Sequence, residues 1–448
     1  MISFPPELML VIFGYLKGCY ASLEACCFVC HAWRLLAQPL VFADLSLSHV
    51  HSWNRKFAAY PHFSGWVTHL DILAGNRREL QILSSCRSLL DDPATLELIR
   101  QLPNVKSLKV HGFFSLTKAA IEVLCHFPRL ESLEICNVPF EQPEDLLGFT
   151  SQMVDLKNLT IDNIRIGGFH QNQSRRVGSV LHGHVDAVPK CLRSLNLQDV
   201  TQSLYILSWL SGSAFDLGSL TELRLSSRRS LTGRYREAPN FSPYVAPFLR
   251  TVGAGTKHLF LEMEMPGSRQ PYEDNHMLNY YISTAALEGF TALETLDIRS
   301  ESPHALNYAS CLGDIQRLLH RVTFAKLWKI CITMRFVLHT AIDFPYYQDL
   351  PFWTDLDDLL GSPNFPSLLR VVFIIEIDDK YWYPLRTGYS IESLGLDSGE
   401  PEIYHIPPEV IEHPGPADPP TMDDVVAMIT KKMPTVASCG FLEFRSFN

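Results

Sequence analysis

The chain lacks the local signatures that most enzymes carry. No glycine-rich nucleotide loop lies between a strand and a helix. Gly253-Ala254-Gly255 precedes the apolar run at Leu259, has no third glycine, and reads as a loop. A P-loop, a zinc-protease helix motif and a nucleophile elbow are all missing. His49-Val50-His51 and His182-Gly183-His184 stand without paired Cys/His residues at structural zinc spacing, so they read as loop histidines. The expectation is a non-enzyme with no cofactor and no metal. Basic charge is also scarce. Lys and Arg total 38 against 48 Asp and Glu, a formal net charge of −10, which argues against a nucleic-acid surface or an anionic membrane as partner. No run approaches the roughly 18 apolar residues of a membrane span. The 11 cysteines are odd in number and irregularly spaced, which fits a reducing compartment, cytoplasm and/or nucleus, better than a disulfide framework.

What is present is apolar residue, 46% of a 448-residue chain, enough for two or three domains or one elongated array. The first forty residues are the most informative. Pro5 and Pro6 suit a helix entry, where a missing N–H costs nothing, and Glu7 sits at the positive end of the helix dipole. Leu8, Ile12 and Leu16 recur every four residues, with Met9 and Phe13 beside them. Gly18 and Cys19 break the pattern. Ser22 reads as the N-cap of a second helix presenting Leu23, Cys26, Val29 and Cys30, and a third segment with Trp33, Leu36 and Ala37 is expected to end before Pro39. Glu7, the two prolines, the missing basic segment and the missing small-residue cleavage site argue against a signal peptide. Three short helices bury little alone, so their apolar excess implies a partner.

Pro5 or Pro6, Glu7, Leu8, Ile12-Phe13, Leu16, Leu23, Val29-Cys30, Trp33-Arg34 and Pro39-Leu40-Val41-Phe42 follow the order of the F-box motif, which this stretch resembles. Phe4 and His31 depart from the family's usual leucine and basic residue. The resemblance covers about a tenth of the chain. It implies a helical hook for the Skp-type adaptor of a cullin-RING (SCF) ubiquitin ligase, with adaptor contacts at Pro5, Pro6, Leu8, Ile12, Phe13, Leu16, Val29, Cys30, Trp33 and Leu36. By residue type and size, Trp33 and Phe13 are the expected hot spots.

From Thr68 onward one pattern returns: apolar, two others, apolar, one other, apolar. It occurs at Val105 to Val110, Leu130 to Ile135, Leu156 to Ile161, Leu192 to Leu197, Leu220 to Leu225, Leu293 to Ile298, Leu327 to Ile332 and Leu368 to Phe373. His258 to Leu261 is a weaker copy, and His69 to Ile72 a first one. The alternation that ends each copy marks a strand with one buried face. Helical stretches lie between, at Ala94 to Leu102, Thr117 to Phe127, Gln202 to Leu210, Ser283 to Phe290, Asp314 to Val322 and Asp355 to Leu360. These LxxLxL cores resemble leucine-rich repeats. Leu108 to Leu133 to Leu159 step by about 25 and 26 residues, inside the usual range of roughly 20 to 29, and later steps are longer. Asn137, Asn163 and Asp199 fall one residue early for the family's asparagine, so a continuous asparagine ladder is not expected. A doubly wound α/β enzyme is the alternative architecture.

In such an array the outward strand positions include Lys109, Glu134, Thr160, Asn196, Arg224 and Asp297, a mixed polar strip suited to a protein target. Gly167 to Asp186 and Ser226 to Pro247 read as basic surface loops. The expected organisation is an F-box at residues 1–45, an irregular leucine-rich-repeat-like domain of helix–strand units on one parallel sheet at 46–375, an acidic proline-rich segment at 376–420, and a helix–strand cap at 421–448. In that cap Thr421 pairs with Asp424 and Pro434 stops the helix. The resemblance implies the substrate receptor of an SCF ubiquitin ligase, holding the adaptor and an unknown target for degradation. A non-catalytic repeat scaffold without ligase function is the alternative.

Overall fold

A computed structural model describes residues 5–47, 50–73, 89–112, 116–140, 143–166, 190–198, 215–227, 242–264, 287–301, 315–320, 324–337, 343–378 and 419–446, with positions 206, 210 and 313. The loop read at 167–186, most of the helix read at 202–210 and nearly all of the proline-rich stretch lie outside these residues, as do His49, His182 and His184. The chain divides into two compact units, Met1–Leu220 and Thr221–Asn448.

The first unit opens with three helices, α1 (Pro6–Tyr15), α2 (Tyr20–Val29) and α3 (His31–Val41). Pro6 takes the first-turn position of α1, and the Pro5 carbonyl accepts the N–H groups of Leu8 and Met9. The connection to α2 turns at Gly18, whose φ of 93° is cheap only for glycine. Two expectations need correction. The second helix starts at Tyr20, ahead of Ser22, whose hydroxyl meets the Cys19 sulfur at 3.0 Å instead of capping a helix. The third runs through Pro39 to Val41; so near the end, proline forfeits one hydrogen bond and little else. Met9, Phe13, Leu23 and Ala37 form the core of the trio, with Phe13 edge-on to Trp33 at 5.5 Å.

The trio is mounted on the unit by aromatics. Phe42, just past α3, stacks on Phe63 at 4.2 Å, and Phe63 stacks in turn on Trp66 and Tyr60. Trp53, on α4 (Val50–Ala59), meets Phe42 edge-on. The Tyr20 hydroxyl donates to Asp44 at 3.2 Å, joining α2 to the first strand.

The strands of this unit are β1 (Asp44–Ser46), β2 (His69–Leu73), β3 (Ser107–His111), β4 (Ser132–Cys136), β5 (Pro139–Phe140), β6 (Asn158–Asp162), β7 (Arg165–Ile166), β8 (Lys190–Cys191), β9 (Ser194–Gln198) and β10 (Phe215–Asp216). β1, β2, β3, β4, β6 and β9 lie side by side in that order, all parallel. Leu45, Leu70, Leu108, Leu133, Leu159 and Leu195 align across them as one buried row, so each copy of the repeat contributes the same position. Helices cover that apolar side. The helix Pro93–Arg100 is capped by Asp92, and Lys118–Leu124 by Thr117, whose hydroxyl accepts the Ala120 N–H at 3.2 Å. The helix Pro143–Ser151 carries no clear signal in the sequence pattern.

The turn asparagines bond after all. Asn137 and Asn163 sit at φ 59° and 47°, a region asparagine tolerates better than most residues. The Asn163 amide donates to the Asn137 side-chain oxygen, and the Asn137 amide lies 2.9 Å from His111 Nε2. Falling one residue early moves the asparagine into the turn itself, where one asparagine-to-asparagine bond forms; Asp199 lies outside the described residues.

The second unit holds β11 (Glu222–Ser227), β12 (His258–Glu264), β13 (Thr295–Glu301), β14 (Lys329–Val337), β15 (Arg370–Asp378) and β16 (Leu442–Ser446), parallel and adjacent in that order. Leu223, Leu259, Leu296, Ile330, Val371 and Leu442 repeat the apolar row. The end of the expected basic loop is helical: Ser242–Gly253 forms a helix with Pro247 inside it. Gly253 must be glycine, because a Cβ there would lie 2.8 Å from the Gly289 backbone. The expected helix at Asp355 begins earlier, as Phe352–Leu360, and buries Trp353, whose indole donates to the Tyr347 carbonyl at 2.8 Å. Near the C-terminus Thr421 and Asp424 form a reciprocal capping box on the helix Met422–Lys432. Pro434 does more than stop that helix: it starts a second one, Pro434–Ser438.

Candidate protein-interaction sites

The first surface is the outside of the helical trio. With Met9 and Phe13 turned inward, helical periodicity carries Leu8, Val11, Ile12 and Tyr15 outward, at i, i+3, i+4 and i+7. They are 52%, 56%, 45% and 87% exposed. Tyr20, Phe28, Val29 and Leu35 add exposed apolar area from α2 and α3. Isolated exposed leucines are ordinary, whereas a contiguous stripe on one short helix marks an interaction surface. Each such side chain contributes about 1.5–3 kcal/mol when a partner buries it fully.

The residues expected to dock divide into three groups. Pro5, Pro6, Leu8, Ile12, Val29 and Cys30 are exposed. Leu16, Trp33 and Leu36 are half-buried against the core of the trio. Phe13 is 1% exposed and holds the helices to one another, so it is not part of the outer surface. Val11, Tyr15, Phe28 and Leu35 are exposed apolar residues that sequence reasoning missed. The apolar pattern of α1 runs almost all round the helix, and only packing shows which side the other helices take.

The second surface is the polar side of the strands. Lys109, Glu134, Thr160 and Asn196 stand in one cross-strand row of the first unit, beginning at Asp71. Lys109 Nζ pairs with Glu134 at 2.6 Å, and both side chains stay half-exposed. Burial pushes the Asp71 carboxyl up. Burial is the largest influence on the Lys109 ammonium and lowers it, but the bond to Glu134 together with the charges of Glu134 and Asp71 carries the net shift upward. Burial, followed by the Glu134 charge, drives the Cys136 thiol far above its ordinary value and leaves it protonated and unreactive.

In the second unit Arg224 and Asp297 share a row, with Phe260 between them on β12. The middle of this face is closed. The Glu262 side chain is fully buried; it accepts the Ser226 hydroxyl at 2.6 Å and pairs with Arg299 at 3.2 Å and Arg224 at 3.9 Å. The Arg224 guanidinium lies 3.8 Å over the Phe260 ring. Burial raises the Asp297 carboxyl to about 6 against the pull of Lys329 and Arg224, and raises the Cys331 thiol to about 12. The two units therefore offer different faces: half-exposed polar rows in the first, a buried ion network in the second. Among the described residues no group of three His, Cys, Asp or Glu residues is placed to hold a metal ion, and no helix is long and apolar enough to cross a membrane.

No family profile matches the chain, and no curated protein does. Among solved structures, the Rad7 and Elc1 complex in yeast is similar to it at 13% identity, covering 86% of this chain and 92% of that one with a TM-score of 0.30. A likeness that loose carries no argument about partner or activity. The chain is an α/β protein of parallel strands and covering helices.

Proposed function

We propose that this protein is the non-catalytic substrate receptor of an SCF-type cullin-RING ubiquitin ligase, working in cytoplasm or nucleus. The exposed stripe Leu8, Val11, Ile12 and Tyr15 supports the reading, because a small helical trio gains nothing in water from presenting four large apolar side chains on one helix. In this reading an F-box-like hook docks on the Skp-type adaptor. The half-exposed row at Lys109, Glu134, Thr160 and Asn196 holds a target protein, with Arg224 and Asp297. Binding raises the effective concentration of a target lysine beside a ubiquitin-loaded enzyme, so the receptor contributes proximity and no chemistry of its own.

Co-expression with the adaptor tests this. Ile12→Asp puts a charge on an exposed position, so the chain stays folded and adaptor co-purification is lost. A folded variant that still co-purifies overturns the docking model. Adaptor capture without cullin recruitment assigns the chain instead as a repeat scaffold.

A further inference from the structure

We propose that the turns leading into β14 and β15 dock a short segment of a partner protein that carries an apolar residue beside acidic ones. At the entry to these strands two successive N–H groups share one carbonyl of the preceding repeat, which marks an equivalent place from strand to strand. Lys257 and His258 bond the Thr221 carbonyl in this way, and Leu369 and Arg370 bond that of Trp328. The first unit fills the place with Thr68, Lys106, Glu131, Lys157 and Arg193, and the second has Thr221, Lys257 and Glu294. The next two residues differ. Trp328 and Leu369 are 37% and 65% exposed, and the Leu369 N–H donates to the Trp328 carbonyl at 2.9 Å. Two large apolar residues therefore sit side by side where polar ones are the rule. A single exposed leucine means little, whereas such a pair marks an interaction patch.

Charge selects the occupant. Lys326 and Lys329 flank Trp328 in the chain, and among the described residues neither is in an ion pair. Lys329 pulls on the Asp297 carboxyl without pairing to it. The carboxylates close by are taken: Glu294 by Lys257 at 2.9 Å, and Glu443 by Arg370 and Arg445. The stretches that enter β14, β15 and β16, residues 324–329, 363–370 and 437–441, contain no Asp or Glu. A chain of formal net charge −10 thus sets two unpaired ammonium groups beside its apolar pair. An apolar side chain with neighbouring carboxylates is the segment that satisfies both. The Ser367 hydroxyl donates to the Ala325 carbonyl at 2.7 Å and ties the two turns together, so the patch is formed before anything binds. Docking here requires neither the helical trio nor a ligase.

The test is fluorescence anisotropy of labelled synthetic peptides titrated with the full-length chain. The probe is a leucine–phenylalanine pair flanked by aspartates; one control replaces the aspartates by lysines, the other replaces the apolar pair by alanines. The acidic apolar peptide binds, and each control binds roughly tenfold or more weakly. Leu369→Asp weakens the probe by a similar factor, and Lys326→Glu removes the preference for aspartate over lysine. Val154→Asp, at a 72% exposed valine of the first unit, leaves binding unchanged. All three positions are exposed, so the variants share the circular dichroism spectrum of the wild type. Failure of the acidic apolar peptide to bind overturns the proposal, as does equal binding of either control or undiminished binding by Leu369→Asp. Self-association of the wild type that Leu369→Asp abolishes also overturns it, since the occupant would then be a second copy of this chain.

Discussion

The Asp357 carboxylate accepts the backbone N–H of Val436 at 2.9 Å across 79 residues of chain, and its second oxygen accepts that of Thr435 at the same distance. These are first-turn donors of the helix Pro434–Ser438, which no residue of their own segment caps. A buried side chain from the helix Phe352–Leu360 serves as their N-cap and anchors the C-terminal segment. Asp357→Ala leaves two N–H groups without an acceptor and is expected to destabilise this end of the chain by about 2–3 kcal/mol. Hydrogen exchange across 434–446 reads the loss, and Asp357→Asn, which keeps one acceptor, shows a smaller one.

Phe13 and Ile12 are neighbours in sequence with opposite roles. Phe13→Ala opens a cavity against Trp33 and costs the trio about 3 kcal/mol, seen as faster exchange throughout α1 to α3. Ile12→Asp leaves that exchange unchanged while adaptor capture falls. Equal exchange profiles for the two variants would remove the distinction between inner and outer faces.

Asp297 gives the second unit a pH dependence of unusual sign. Its folded value of about 6 lies above its ordinary 3.8, so between those two values the folded chain holds a proton that the unfolded chain has released. The stabilising contribution is complete below 3.8 and lost as pH rises through about 6. Asp297→Asn removes this dependence. The variant is expected to gain roughly 3 kcal/mol over the wild type at pH 7 and nothing below 3.8, measured by urea unfolding at each pH.

Asn137 carries both a left-handed backbone conformation and two side-chain contacts, to Asn163 and His111. Asn137→Ala loses both advantages, at about 2 kcal/mol, whereas Asn137→Gly keeps the conformation and is expected to cost about half as much. Thermal unfolding of the pair tests the ordering; an alanine variant as stable as the glycine one would show that φ at this turn does not matter.

Every copy of the repeat from His69 to Phe373 became a parallel strand, because an apolar–variable–apolar alternation sends its apolar residues to one side of an extended chain. The residue numbers of the polar side, Lys109 through Asn196 and Arg224 with Asp297, followed from the same period. Capping at Thr117 and Thr421 was equally legible, since a cap is a contact across three residues. The helix Ser242–Gly253 was not: two prolines, Pro243 and Pro247, hide it, and burial of Phe248, Leu249 and Val252 overrides them.

The sequence by itself determined local periodicity, and with it the strands, the rows and an apolar trio of helices. Tertiary structure alone decided exposure. It turned Phe13 inward and Val11 and Tyr15 outward, sealed Glu262 between two arginines, and joined Asp357 to Val436. Periodicity is a property of a few consecutive residues, whereas burial depends on which distant segments arrive opposite them, and no short stretch of chain encodes that on its own.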